Sequence, residues 1–193
     1  MRLYATLFAI VYVLMILTAF ILPEFSAEGY SRVEHSLSEL GAQETPNNWI
    51  MNLVFMLLGI ATVLLGTKVL RQFWLPLYLL YFFAAAMFFT GVFQHGHINE
   101  VVFFEGEHMA HSVFSMITGT AFCAYSIAVS FFLKRIERAS AILLCCLAIG
   151  LSLLMLQFDH LRGILQRILF ITAFGWLFYS LVSFKYEKPE GKT

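Results

Sequence analysis

The sequence predicts an all-α polytopic membrane protein: a compact bundle of six transmembrane helices with both termini in the cytoplasm. Three observations predict it. The chain has 193 residues, 60% of them hydrophobic, and a mean hydropathy of +0.80. Only 12% are charged, against roughly 25% in water-soluble domains. Apolar runs of the length a bilayer core demands, about 20 residues per helix, recur along the whole chain. Unpaired backbone polar groups are too costly in lipid for open sheet, so these runs are helices. They belong to a single transmembrane domain, 1–193.

The first run, 3–23, is too long for the apolar core of a signal peptide. "ILPEFSAEG" also places Phe25 where a cleavage site needs a small residue. It is read as a retained helix. The outer loop after it is long enough to need structure of its own. In "SRVEHSLSELGA", Ser31 and Glu34 fit a capping box and Gly41 fits the position past a helix end. Val33, Leu37 and Leu40 recur at helical spacing, predicting an interfacial helix over 31–40 with His35 and Glu39 on another face.

The second span, 48–70, follows Pro46, which resists helix extension from the residue before it. Asn47 or Asn48 can cap it, Trp49 suits the interfacial belt, and Asn52 lies one turn deeper, as interhelical glue. The third span, 73–94, leads into "QHGHINEVVFFEGEH". Gly96 between His95 and His97 gives the backbone freedom to turn both rings toward one point. The fourth span, 109–133, opens with His108 and His111 three apart, hence on one side, and Ser112 and Ser115 continue the polar stripe inward. Glu107 in its first turn complements the helix dipole. The fifth span, 139–157, ends at Asp159-His160. The sixth, 165–184, starts with Gln166-Arg167 and is followed by a tail, 185–193. Arg167 either snorkels to the interface or faces inward against Asp159 or a loop glutamate.

Six spans put both termini on one side. Nine basic residues fall there: Arg2, Lys68, Arg71, Lys134, Arg135, Arg138, Lys185, Lys188 and Lys192. Three, Arg32, Arg162 and Arg167, fall opposite. The positive-inside rule therefore sets the termini in the cytoplasm of a plasma-membrane protein. Nine acids, Glu100 among them, and all six histidines (His35, His95, His97, His108, His111 and His160) gather on the outer side. The zero net charge conceals a polarised molecule.

Histidine and carboxylate suit zinc, and catalytic zinc sites commonly keep three protein ligands and an open position. The candidate metal ligands are His95, His97, His111, His160 and Asp159, with Glu107 and His108 as base or supporting groups. The spacing matches no HExxH-type motif. A bound metal makes a nucleophile of water near pH 7, which points to hydrolysis of an ester, amide or phosphodiester in a lipid or lipid-linked substrate. Arg162, Arg167 and Gln166 suit an anionic head group. Two alternatives stay open. The histidines can cap helix ends, hold the outer cap together or sense pH in a non-enzymatic scaffold or transporter-like bundle. Two of them can also hold a haem. Cys123, Cys145 and Cys146 lie in apolar helices as small hydrophobes. No basic patch or phosphate-binding glycine motif suggests a nucleic-acid partner.

"HSLSELGAQETPNNW", "GVFQHGH", "EHMAHSVF" and "GILQRILFITAFGWLF", in this order, resemble the prokaryotic membrane family of domain of unknown function 998 over residues 4–184. The resemblance implies the six-helix topology but no reaction. It assigns importance to Ser38, which could contact substrate or polarise a carbonyl, to His111, and to Gln166-Arg167. Many members carry Pro and Asp after the third helix. Here Gln94-His95-Gly96-His97 stands in that place. A more distant chemical likeness, to the alkaline ceramidase and adiponectin-receptor hydrolases, rests only on Ser, Asp and His at one end of a bundle. Those proteins have seven helices and an HxxxH pair that this chain lacks.

Overall fold

The computed structural model describes residues 1–99 and 103–186. Glu100 and the tail lysines Lys188 and Lys192 lie outside the described residues. Regular structure among the described residues is entirely helical, and six helices are long and apolar enough to cross a membrane. α1 (Arg2–Ile21) runs into a 3-10 turn, Leu22–Phe25, that contains Pro23. A four-residue helix, α2 (Leu37–Leu40), follows in the long connection. Then come α3 (Asn48–Leu70), α4 (Trp74–Val92), α5 (Glu105–Ser130) and α6 (Arg135–Gln157). A second 3-10 turn, Asp159–Leu161, leads into α7 (Arg162–Ser183).

The spanning helices pack as a closed ring in chain order, with α7 returning to α1. Short connections make neighbours antiparallel. The ring closes around aromatic side chains. Phe83 of α4 lies 5.4 Å from Phe122 of α5 and 5.7 Å from Phe174 of α7. Phe55 of α3 is 5.7 Å from Phe170, and Phe8 of α1 stacks on Phe178 at 5.6 Å. Such pairs add about 0.5–1.5 kcal/mol each beyond the area they bury. This aromatic filling separates the polar residues at the two ends of the bundle. Tyr186, whose hydroxyl donates to the Ser180 carbonyl, and Lys68, 5.6 Å from the Tyr4 ring, mark the end that carries both termini.

The opposite end is closed by the connection between α1 and α3, and here the helix expected over 31–40 is corrected. One turn forms at Ser31, whose carbonyl accepts the His35 N–H at 2.8 Å and whose hydroxyl accepts from Val33 and Glu34. The chain then breaks and restarts as α2, where Ser36 and Glu39 form the capping box expected at Ser31 and Glu34. The break has a physical cause. The Arg32 and His35 carbonyls, which a continuous helix would use internally, instead accept from the Arg167 guanidinium at 2.8 and 2.9 Å. Tyr30 takes the next one, donating to the Ser36 carbonyl at 2.7 Å.

The loop can approach α7 this closely because Gly163 has no side chain. A Cβ there would lie 2.3 Å from the His35 oxygen and 2.7 Å from the Arg32 oxygen, both backbone atoms. Ile164 N–H also donates to the Val33 carbonyl at 3.1 Å. Alanine would gain about 1 kcal/mol of helix propensity but meet a backbone clash that cannot rotate away. Gly163→Ala is therefore expected to destabilise the protein by about 1–3 kcal/mol. Thermal unfolding in detergent checks this, and a raised melting temperature would show that the loop is not seated on α7.

Candidate functional site

Three of the six histidines meet beneath the capped end. His95 comes from the connection after α4, and His108 and His111 from the first turns of α5. The His95 ring lies 4.9 Å from that of His108 and 5.3 Å from that of His111, edge to face in both cases. Their hydrogen-bond partners fix the tautomers. His111 Nδ1 donates to the Phe93 carbonyl at 2.9 Å, leaving Nε2 as an acceptor. That Nε2 is buried and has no partner. His95 Nδ1 donates to the Gly96 carbonyl at 2.8 Å, so its Nε2 is also an acceptor. His108 is reversed: its Nδ1 accepts the Gly96 N–H at 2.9 Å, so the neutral ring carries its proton on Nε2. The cluster offers two bare lone pairs and one N–H. Burial is the main cause that lowers the His95 pKa, and Glu39 and Arg162 act on it with opposite signs.

The other candidates stand elsewhere. His97 accepts from the Asn99 N–H at 3.2 Å and makes no ring contact with the cluster. Asp159 and His160 are exposed in the 3-10 turn, with His160 against Phe158 at 6.1 Å. Glu107 accepts the Gln94 N–H at 3.3 Å, tying the start of α5 to the end of α4. Ser38 is buried on α2, its carbonyl accepting the Gly41 N–H at 3.0 Å. The expected pool of five metal ligands thus contributes two rings, His95 and His111, and the third ring is His108. Among the described residues no group of three or more histidine, cysteine or acidic side chains is arranged to hold a metal ion. The tautomers give the reason: the Nε2 atoms of His95 and His111 suit an ion, whereas His108 would have to give up its bond to Gly96.

Of the residues expected to contact an anionic substrate, Arg167 and Gln166 are turned to the protein itself. Arg167 is 2% exposed. It donates to the carbonyls of Ala19, Arg32, His35 and Gly163 and to the Tyr30 hydroxyl at 2.8–3.2 Å. It does not snorkel, and among the described residues it pairs with no acid. Burial pushes the Tyr30 phenol up to about 12, which keeps its proton available to the loop. The Gln166 side-chain oxygen accepts the Leu37 N–H. Arg162 remains partly open: one nitrogen meets Glu39 at 3.4 Å while Nε is buried without a partner.

Two further residues hold the site together, and of these the sequence singled out only Asn52. Gln43, 1% exposed, accepts the Phe103 and Phe104 N–H groups at 2.9 Å and donates to the Phe104 carbonyl. Its own N–H donates to the His95 carbonyl at 2.9 Å. One glutamine thus fastens the connection between α4 and α5 to the one between α1 and α3. Asn52 donates to the Gly41 carbonyl at 2.9 Å, and a Cβ on Gly41 would lie 2.1 Å from its Oδ1. A glutamine in a polar loop carries no signal of such a role, whereas the depth of Asn52 did.

A search of curated proteins and a search of solved structures found no match. The family model described as "Protein of unknown function (DUF998)" matches residues 9–183, which takes in all of the spanning helices except the start of α1, and the whole imidazole cluster. The chain belongs to the DUF998 family.

Proposed function

We propose that the protein is a hydrolase acting on a lipid or lipid-linked substrate at the extracytoplasmic leaflet of the plasma membrane. Its reaction centre is the cluster of His95, His108 and His111. One observation carries this reading: the His111 Nε2 is a buried acceptor with no partner, while the other nitrogen of the ring is anchored on Phe93. Buried polar atoms are nearly always paired. A ring fixed through one nitrogen with the other left bare is how imidazoles are set to bind a metal or take a proton.

The residues divide the work. His111, neutral and with a bare Nε2, accepts the proton of an attacking water, and the Nε2 of His95 orients that water. His108, carrying its proton on Nε2, donates to the leaving oxygen. Proton transfers of this kind contribute about 10²–10⁴ in rate. Arg162, whose side chain is 44% exposed, suits an anionic head group, and Ser38 the polarised carbonyl or phosphoryl oxygen. A zinc ion held by the two Nε2 atoms would take the place of the imidazole base, because it would itself supply water of pKa near 7. The nine-to-three distribution of basic residues supports the outward orientation. The packed phenylalanines between the two ends argue against a transport path.

Elemental analysis of purified protein, combined with cleavage of fluorogenic lipid esters and phosphodiesters in mixed micelles, tests the reading. Hydrolysis, with a near-stoichiometric divalent metal if the ion is part of the site, is expected. A protein free of metal and inert on every substrate would overturn it. The scaffold alternative has its own support: His35, His95, His97 and His108 all use Nδ1 in local loop bonds. It predicts that removing an Nε2 has no chemical consequence. Haem finds less support, because rings 5.3 Å apart leave no room for a porphyrin between them.

A further inference from the structure

An apolar groove of about 430 Å³ lies on the membrane-facing side of α3 and α4. It exists because its walls are small. Gly59 lets the Ala84 carbonyl come to 2.5 Å of where a Cβ would stand, and Ala85 leaves the floor open beside Ile60 and Leu64. Phe89 bounds the groove toward the polar end. Its ring stacks on Phe114 of α5 at 5.0 Å and on Phe93 at 6.4 Å, and Phe93 and Phe114 are parallel to within 1° at 5.7 Å. Phe114 is one turn from His111, and the Phe93 carbonyl holds His111 Nδ1. Stacked aromatic rings therefore run from the groove to Phe93, whose carbonyl holds His111, and to Phe114, one turn from it.

We infer that this groove is the acyl-chain subsite of the substrate, a bilayer lipid that enters sideways and presents its scissile bond to the imidazole cluster. The inference rests on the hydrolase reading and adds the class of substrate and its route. From Tyr81, at the far end of the groove, to Phe93 is roughly 18 Å along α4 at 1.5 Å per residue, close to the depth of one leaflet of a ~30 Å core. A chain of that leaflet thus ends where the polar chemistry begins. A soluble substrate has no use for such a surface. The bundle also supplies its own control. A second groove of about 460 Å³, between α1 and α7 and lined by Ala5, Ala9, Val13 and Phe178, lies toward the end carrying the termini. Size alone predicts equal lipid occupancy of the two; continuity with the histidines predicts a preference.

The test uses the full chain in phosphatidylcholine–phosphatidylglycerol vesicles doped with phosphatidylcholine carrying a photoactivatable diazirine in its acyl chain. Adducts at Ile60, Leu64 and Ala85 are expected to exceed those at Ala5, Ala9 and Val13 by at least about fivefold, a difference of binding rather than of chance contact. Ala85→Trp, and independently Leu64→Trp, should remove both the adducts and lipid cleavage, while Ala9→Trp changes neither. Equal labelling of the two grooves would overturn the inference. So would a wild-type protein that cleaves lipid and keeps its rate when both tryptophans fill the groove, and the hydrolase reading would survive that result. Selective labelling by a protein that cleaves nothing would sink the hydrolase reading and leave the groove as a lipid site.

Discussion

Arg167→Met is expected to unseat the loop that caps the histidine end of the bundle and to lower stability by roughly 3–5 kcal/mol. The guanidinium is buried on α7 and makes bonds to four carbonyls and a phenol drawn from three separate stretches of chain. Hydrogen bonds to a charged group contribute about 1.5–3 kcal/mol each. Methionine fills the same volume, so the loss reports bonding rather than a cavity. The Arg32 carbonyl would lose its donor, the His35 carbonyl would keep only the Tyr30 hydroxyl at 3.1 Å, and the loop that carries them would lift from α7. Arg167→Lys keeps the charge but not the planar fork, and three donors on one nitrogen cannot serve acceptors spread around a guanidinium. It should recover only part of the loss. Thermal unfolding in detergent and proteolysis after Arg32 read the effect directly. An unchanged melting temperature with an intact loop would mean that Arg167 is not the clamp described above.

That clamp also explains where the sequence misled. "SRVEHSLSEL" contains two matches to the same capping pattern, Ser31 with Glu34 and Ser36 with Glu39. Local chemistry does not rank them. The choice is made by Arg167, more than 130 residues away, which takes the Arg32 and His35 carbonyls and limits the helix to Leu37–Leu40. Helix starts were misplaced for a different reason. α5, α6 and α7 begin at Glu105, Arg135 and Arg162, rather than at 109, 139 and 165, because their first turns are polar. Hydropathy reports where side chains meet hydrocarbon, whereas backbone pairing continues into the head-group layer.

The imidazole cluster was legible in part. Helical spacing put His108 and His111 on one side of α5, and Gly96 marked a turn that brings His95 to them. The same glycine was expected to turn His97 to that point too, but His97 bonds to Asn99 instead, and spacing said nothing of His160, which lies on a separate exposed turn. Density on one side of a membrane is a property of topology. Convergence is a property of a few backbone bonds that composition does not encode.

The substitution His111→Asn separates chemistry from packing at this cluster. Asparagine keeps a donor near the position of Nδ1, able to hold the Phe93 carbonyl, and deletes only the Nε2 lone pair. If that lone pair takes a proton or holds an ion, turnover should fall by about 10²–10⁴ while the melting temperature barely moves, and any bound metal should be lost with it. The pH profile adds an independent reading through His95, which lies outside the spanning helices. Burial holds its pKa below the ordinary value of 6.5, so the folded ring stays a neutral base where an unfolded one would already be charged. The sign follows: below about pH 6.5 the unfolded chain binds the extra proton, and stability falls as pH drops through that value. The acid limb of turnover should lie lower still, at the pKa of the folded ring. A scaffold of structural histidines predicts the same loss of stability in acid but no rate to lose, so His111→Asn would then be silent.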